Sequence, residues 1–219
     1  YIWDAGDDGA FDTGDDRFFV QKDLGRDCLP NDPGCPDMRK VQKTEIATYT
    51  AKDFRVKESH VIQWRDEENK LTYIWDAGDD LEFDTGDDRF FVQKDLGRDC
   101  LPNDVGCPDE RKIHQKTEVI TYTTKDYSTK ESHVIQWRDE ENKLTYIWDT
   151  GDDLVFDTAD DRFFVQRDLG RDCLPNDPNC PDARKVQKTE ISTYTAKDYR
   201  VKESHVVQWR DEENKLTYI

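Results

Sequence analysis

The chain has 219 residues, of which 50 are acidic and 32 basic, and its formal net charge is −18 at pH 7. Because nucleic acids attract basic surfaces, this charge argues against a nucleic-acid partner and against docking to anionic membranes. No apolar run approaches the roughly 20 residues of a transmembrane helix, so no membrane span is expected.

The sequence consists of three nearly identical units. The tetrapeptide YIWD begins at Tyr1, Tyr73 and Tyr146, and its first two residues return at Tyr218. Such self-similarity outweighs length as a guide to architecture. We therefore predict repeat 1 at 1–72, repeat 2 at 73–145, repeat 3 at 146–217, and the start of a truncated fourth repeat at 218–219.

Each unit opens with the phrase aromatic-Asp-x-Gly-Asp-Asp written twice, first at Trp3–Asp8 and then at Phe11–Asp16. Gly recurs at matched places without a helical period, so we expect tight turns with Trp3 and Phe11 as inward anchors. Carboxylates packed this closely repel each other, and a bound cation is the simplest reason to keep them together. Calcium prefers such hard oxygen ligands, while the alternative is a solvated acidic face. The expected calcium ligands are Asp4, Asp7, Asp8, Asp12, Asp15, Asp16, Asp76, Asp79, Asp80, Asp84, Asp87, Asp88, Asp149, Asp152, Asp153, Asp157, Asp160 and Asp161.

Two strands are predicted in the middle of each unit. In repeat 1, residues 17–22 are aromatic and β-branched, and Asp23–Gly25 should end this strand. Residues 39–50 are rich in Thr, Ile and Tyr and predict a long second strand.

A cysteine pair lies between those two strands in every unit. The even number, the fixed spacing and the turn-forming residues between the cysteines predict one local disulfide per unit, whereas the spacing fits zinc sites poorly. Disulfides imply an oxidising compartment, so we expect a secreted or cell-surface protein. The disulfide cysteines are Cys28, Cys35, Cys100, Cys107, Cys173 and Cys180. The same loop contains Asp27, Asn31, Asp32 and Asp37, either as additional metal ligands or as ordinary turn formers.

The last segment of each unit predicts a hairpin. In residues 60–64, Ile62 and Trp64 share one face, and in residues 71–75, Leu71, Tyr73 and Trp75 share one face, while the turn between the two segments suits a left-handed Asn69. The second strand of this hairpin opens the next unit, so neighbouring units share a strand. The predicted fold is all-β: a tandem array of three small β modules joined by shared-strand hairpins, each with an Asp-rich loop and a disulfide loop.

Two differences between the units constrain the fold. Gly14 and Gly86 become Ala159 in repeat 3, so this position does not require a left-handed backbone. Repeat 2 holds one extra residue near His114. Inside a strand, an insertion would turn every later side chain to the wrong face, so a bulge or the preceding loop must absorb it.

Catalysis is not expected from this pattern. Three copies of one fold imply one role copied three times, whereas an enzyme usually needs a unique set of residues. His60, His133 and His205 each follow a Ser. Adjacent strand residues point to opposite faces, so these pairs are not Ser-His dyads, and we expect the histidines to be structural.

The Asp-rich phrases and the Cys loop loosely resemble the calcium turns of repeat-in-toxin proteins and thrombospondin type 3 repeats. Neither consensus is met, because the period is eight and the flanking anchors are aromatic. Repetition, acidity and Asp-rich loops are also similar to the repeat regions of secreted or cell-surface fibrous and adhesin-like proteins.

This class-level resemblance implies a structural segment of an extracellular stalk, fibre or filament, made rigid by calcium and by disulfides within the repeats. Its partners would be neighbouring repeats and further copies in a filament. The alternative is a multivalent carbohydrate-binding or adhesive module that grips glycans with the repeated aromatic and Asp residues.

Overall fold

In the computed structural model of the protein, the chain folds as antiparallel β-structure, which confirms the predicted fold class. The structure describes residues 1–5, 11–12, 16–104, 107–108, 112, 114–139, 143–181, 185–211 and 216–219. The strands are β1 Ile2–Asp4, β2 Arg17–Asp27, β3 Val41–Tyr49, β4 Lys57–Asp66, β5 Leu71–Asp76, β6 Arg89–Asp99, β7 His114–Tyr122, β8 Lys130–Asp139, β9 Leu144–Asp149, β10 Arg162–Asp172, β11 Val186–Tyr194, β12 Lys202–Asp211 and β13 Leu216–Tyr218. A short 3-10 helix, Asp37–Arg39, precedes β3. Within these ranges no helix has the length and apolar character to cross a membrane.

The strands form one 13-stranded sheet whose order is the order of the chain. The predicted hairpin is present, because β4 pairs with β5 from Val61↔Asp76 to Asp66↔Leu71. β5 then pairs on its other side with β6, the first long strand of repeat 2. The strand that opens a repeat is therefore hydrogen-bonded to the repeat before it as well.

The meander places successive loops at alternate ends of the strands. The Asp-rich loops after β5 (residues 76–88) and β9 (residues 149–161) lie at the same strand end as the loops after β3, β7 and β11. The Cys loops after β2 (residues 28–35) and β10 (residues 173–180) lie at the opposite strand end, with the hairpin turn between β4 and β5.

The chain forms two compact units, and each has its own core. The first comprises Tyr1–Lys94 and Val119–Glu131, and the second comprises Asp95–Glu118 and Ser132–Ile219. The core of the first unit contains Trp64, Tyr73, Phe90, Val92 and Tyr127. The core of the second contains the matching residues Trp137, Tyr146, Phe163, Val165 and Tyr199.

The end predicted for the first long strand is wrong. β2 continues to Asp27 through an irregularity between Asp23 and Arg26. Gly25 takes φ +81° there, and its backbone N–H donates to Asp23 Oδ1 at 2.7 Å. A glycine therefore ends the regular pairing only locally, because a bulge lets the strand resume.

The left-handed residue of the hairpin turn is also not the predicted one. Lys70 takes φ +54°, whereas Asn69 donates to the Asp66 carboxylate from its backbone N at 3.1 Å and from Nδ2 at 2.8 Å. Asn69 acts by closing the turn through its side chain, so the next residue completes the reversal.

The extra residue of repeat 2 is accommodated before its strand. β7 starts at His114 and has nine residues, like β3. The side chains of both strands therefore keep the same alternation, as the preceding-loop alternative predicts.

Candidate functional site

The Asp-rich loop between β5 and β6 is organised around the Asp87 carboxylate. Oδ2 of Asp87 accepts the backbone N–H groups of Asp79 at 2.6 Å and Asp80 at 3.1 Å. The Thr85 hydroxyl donates to Oδ1 at 2.8 Å. That hydroxyl, followed by the Asp80 amide, lowers the pKa of Asp87 below its ordinary value. The carboxylate acts as an internal cap for the first half of the loop.

Gly78 allows this close approach. It takes φ +65°, and a Cβ at this position would lie 2.5 Å from Asp87 Oδ2 and closer still to the Asp87 carbonyl oxygen. Only glycine avoids both the left-handed strain and the collision. Gly86, at the matching place of the second phrase, has no atom within 4 Å of such a Cβ and no positive φ. This confirms that the Gly86/Ala159 position does not require a left-handed backbone.

Asp88 caps the second half of the loop and joins it to the sheet. Its Oδ2 accepts the Asp84 backbone N–H at 2.8 Å and the indole N–H of Trp75 at 2.9 Å. Asp84 is itself left-handed, with φ +67°. The two sequence phrases therefore form different turns, since glycine is left-handed in the first and Asp in the second.

The loop of repeat 3 contains the same contacts. Asp160 accepts the backbone N–H groups of Asp152 and Asp153, and Asp161 accepts those of Asp157 and the Trp148 indole. In repeat 1, Trp3 Nε1 and the Asp12 backbone N–H donate to Asp16 Oδ2 at 2.8 and 2.7 Å. The predicted ligands Asp7, Asp8 and Asp15 lie outside the described residues.

Three of the remaining carboxylates of the middle loop lie near basic side chains. Arg89 lies 3.8 Å from Asp76 Oδ2 and 3.9 Å from Asp79 Oδ1. Lys125, from the loop after β7, lies 2.5 Å from Asp84 Oδ1 and 4.7 Å from the centroid of the Trp75 ring. Lys52 and Lys197 make the matching ion pairs and ring contacts in the other repeats, with Asp12 and Trp3 and with Asp157 and Trp148.

These contacts bear on the predicted metal site. Within the described residues, no group of three or more His, Cys, Asp or Glu side chains is arranged to hold a metal ion. Asp87 and Asp88 direct oxygens at backbone and indole donors, and basic side chains face the outer carboxylates. These hydrogen bonds and basic partners stabilise the clustered carboxylates without a metal. Calcium remains a prediction.

A histidine that the sequence identified only as structural links the Asp-rich loops after β5 and β9 to the neighbouring strands β4 and β8. His60 lies in β4, and its Nε2 is 3.0 Å from Glu45 Oε1. Its ring packs on Phe83 at 4.4 Å, and its carbonyl oxygen accepts the Ala77 N–H at 2.9 Å. The hydrogen bond with His60 lowers the pKa of Glu45. His133, Glu118 and Phe156 repeat the arrangement. The 15-residue spacing of Glu and His in every repeat was the available signal.

The Cys loop lies at the other end of β2, about 35 Å away for an 11-residue strand, so it adds no ligand to the Asp-rich loop. All three predicted disulfides are present, and they indicate an oxidising environment. Asp27 is bound to Lys43 at 2.9 Å, which lowers the pKa of Asp27. Asp32 pairs with Arg39, Asp37 with Lys40, and Asn31 donates to the Tyr73 hydroxyl. These partners favour the turn-forming alternative for all four residues.

The aromatic residues form core packing rather than an open strip. Trp64 and Trp137 are each 6% exposed. Trp75 has Phe83 at 4.8 Å, Phe90 at 6.0 Å and Lys125 over its ring. Phe11 differs from the expected inward anchor: it contacts Trp3 at 5.0 Å but stays 60% exposed. Stacked sugar rings need free aromatic faces, so this packing weakens the glycan alternative.

Comparisons with protein-family models, with curated proteins and with solved structures find no match.

Proposed function

We propose that the chain is a structural repeat segment of a secreted or cell-surface stalk, fibre or filament. One observation carries this proposal: the strand that opens a repeat, such as β5, is hydrogen-bonded on both sides, to β4 of the preceding repeat and to β6 of its own. Backbone hydrogen bonds on both sides of the shared strand hold each repeat against the next one. An array of this kind is stabilised mainly by contacts between neighbours.

The loops support the same role. The Asp88 cap, the His60 contact and the Lys125 contact fasten the middle Asp-rich loop to β5, to β4 and to the loop after β7, respectively. The repeats contain the same side chains at these places, so each contributes the same support. We propose no catalytic activity, because the chemistry is the same in every repeat and is used internally.

Calcium is proposed as an additional stabiliser at Asp79 and Asp80, where it would compete with Arg89 for the Asp79 carboxylate. Asp79 and Asp80 are exposed, and their backbone N–H groups already define the position of the loop. A cation held there would reduce the repulsion between neighbouring carboxylates, with the weak affinity of about 10⁻⁴–10⁻³ M that extracellular calcium modules show. The caps of Asp87 and Asp88 are expected to hold the loop in its absence.

Small-angle X-ray scattering of this chain and of a doubled chain, each in millimolar calcium and in EGTA, tests the proposal. A stiff array roughly doubles its maximum dimension when its repeats are doubled, whereas a compact protein grows by about a quarter. We expect near-doubling in both solutions, with the longer dimension in calcium. Growth by only a quarter would rule out the structural array, and identical curves in calcium and EGTA would remove calcium from the account.

A further inference from the structure

The two faces of the sheet differ in what covers them. Trp64, Tyr73 and Val92 are neighbours across β4, β5 and β6 and share one face. Tyr127 and Leu29, from loops, pack against this face and complete the first core. In the second unit, Trp137, Tyr146 and Val165 are likewise neighbours across β8, β9 and β10 and belong to the buried cluster of that unit.

The other face carries a second set of apolar residues. In the first unit, Ile46 is paired with Val61, and Ile74 is paired with Phe91. Thr44, which is itself only 6% exposed, and Gln63 lie between these pairs on the same face. The four apolar side chains are only half-buried. We call this surface the open face; in the first unit it consists of Thr44, Ile46, Val61, Gln63, Ile74 and Phe91.

The second unit has the corresponding residues on one face, although across its strands β9 to β12 the Ile–Phe pair precedes the Ile–Val pair. Ile147 is paired with Phe164, and Ile191 is paired with Val206. Val206 is 36% exposed and the other three are half-buried. In the second unit the open face consists of Ile147, Phe164, Thr189, Ile191, Val206 and Gln208. Both units thus expose apolar residues at corresponding sequence positions. Exposed apolar patches are typical of docking surfaces.

Charge distinguishes the open face from the edges of the sheet. The residues named as the open face carry no charge, and the charged residues beside them on the same face are of both signs: Asp23, Asp76, Arg65 and Arg89. By contrast, the loop from Asp76 to Asp88 contains seven acidic residues and no Lys or Arg. Two copies of this chain would repel each other through their Asp-rich loops. On the open face the acidic residues are balanced by Arg65 and Arg89, so a second copy meets no net repulsion of this kind there.

The repeat spacing also favours a second copy as the occupant. The apolar pairs recur with the period of the repeat, and another copy presents the same pairs with the same period. Four strands and three rows of side chains cover roughly 400 Å² in one repeat, from the usual strand and residue spacings. A specific interface needs about 800 Å² per partner, so at least two repeats must dock together.

We propose that the open face is a self-association surface, on which a second copy of this chain packs face to face. Two sheets of this kind lie about 10 Å apart and interdigitate their side chains. The inference deepens the proposed structural role, because it names the surface through which arrays would join laterally, and it rests on that role for its biological meaning.

Sedimentation velocity of the full chain across a wide concentration range tests the proposal. We expect a monomer–dimer equilibrium that salt strengthens, because salt screens the repulsion between acidic loops while the contact itself is apolar. A chain that stays monomeric at every concentration, or a dimer that salt dissolves, would overturn the proposal.

A matched pair of variants locates the surface. Lys replaces Val61, Val134 and Val206, which occupy the same open-face position in the three repeats, and Asp76 and Asp149 are direct neighbours of the first two. In the control, Lys replaces Val56 and Val201, loop residues that are 61% and 62% exposed and correspond to Thr129. Near-UV circular dichroism verifies that each variant is folded.

We expect the open-face variant to weaken the dimer at least about tenfold, because Lys would be buried in the contact. The control should dimerise like the unmodified chain. Both variants reduce the net negative charge, so general repulsion alone would predict stronger association. A dimer that survives in the open-face variant would overturn the proposal.

If that variant does not fold, Val206→Lys alone applies the same test at the most exposed position. The chain could prove monomeric in sedimentation while its maximum dimension in scattering still doubles when the repeats are doubled. That result would overturn this inference and leave the structural role intact.

Discussion

Replacing Gly78 by Ala is expected to destabilise the Asp-rich loop of repeat 2 by about 3 kcal/mol, counting left-handed strain and displacement of Asp87. The Cβ would lie 2.5 Å from Asp87 Oδ2, so the carboxylate would have to leave the Asp79 and Asp80 amides. Urea unfolding followed by Trp fluorescence measures the loss, because the Trp75 indole is bonded to the same loop.

Gly86→Ala is the matched control. It lies in the same loop, has open space around its Cβ and corresponds to Ala159 in repeat 3. We expect its free energy of unfolding to stay within about 0.5 kcal/mol of the unmodified chain. Equal effects of the two substitutions would contradict the capping role of Asp87.

Replacing Tyr127 by Ala is expected to reduce the free energy of unfolding by about 4 kcal/mol, as for other large aromatic residues of a core. Tyr127 is 6% exposed and its ring lies 5.1 Å from Tyr73 and 5.9 Å from Phe90. Its hydroxyl donates to the Ile74 carbonyl at 2.9 Å. The substitution would uncover the core of the first unit, and the same urea titration measures the effect.

Tyr127→Phe separates packing from the hydrogen bond. Repeat 1 already has Phe54 at this position, where its ring contacts Tyr49 and Phe18. We expect a loss of about 1 kcal/mol, the usual contribution of one buried hydrogen bond. A loss as large as that of the Ala variant would show that the hydroxyl, rather than the ring, anchors the loop.

The regular part of this fold could be predicted from local pattern. Alternating residues placed β4 and β5, and the repeated YIWD showed that β5 and β9 open successive repeats. Two features were predicted incorrectly, because residue type alone decides neither where a strand ends nor which turn residue becomes left-handed. At the first, Gly25 permits a bulge. At the second, Asn69 closes the turn with its side chain and Lys70 reverses the chain.

The partners of the carboxylates were beyond prediction from sequence. Trp75-to-Asp80 and Phe83-to-Asp88 are the same phrase, yet Gly78 is left-handed and Gly86 is not. The difference arises because Asp87 is folded back onto amides of the first phrase, while Asp88 reaches the Trp75 indole. Such contacts depend on how the loop closes in three dimensions, whereas the sequence shows only acidic residues at regular spacing.

Native-state hydrogen exchange in β5 and β9 tests the central claim most directly, because the claim requires repeats that share hydrogen-bonded strands. In an antiparallel strand, successive amides point alternately to the two neighbouring strands. β5 pairs with both β4 and β6, and β9 with both β8 and β10. We expect all interior amides of both strands to be protected to the same degree as those of β3. If every second amide of β5 or β9 exchanged at the rate of an unfolded chain, the repeats would not be joined by a shared strand, and the account would be wrong.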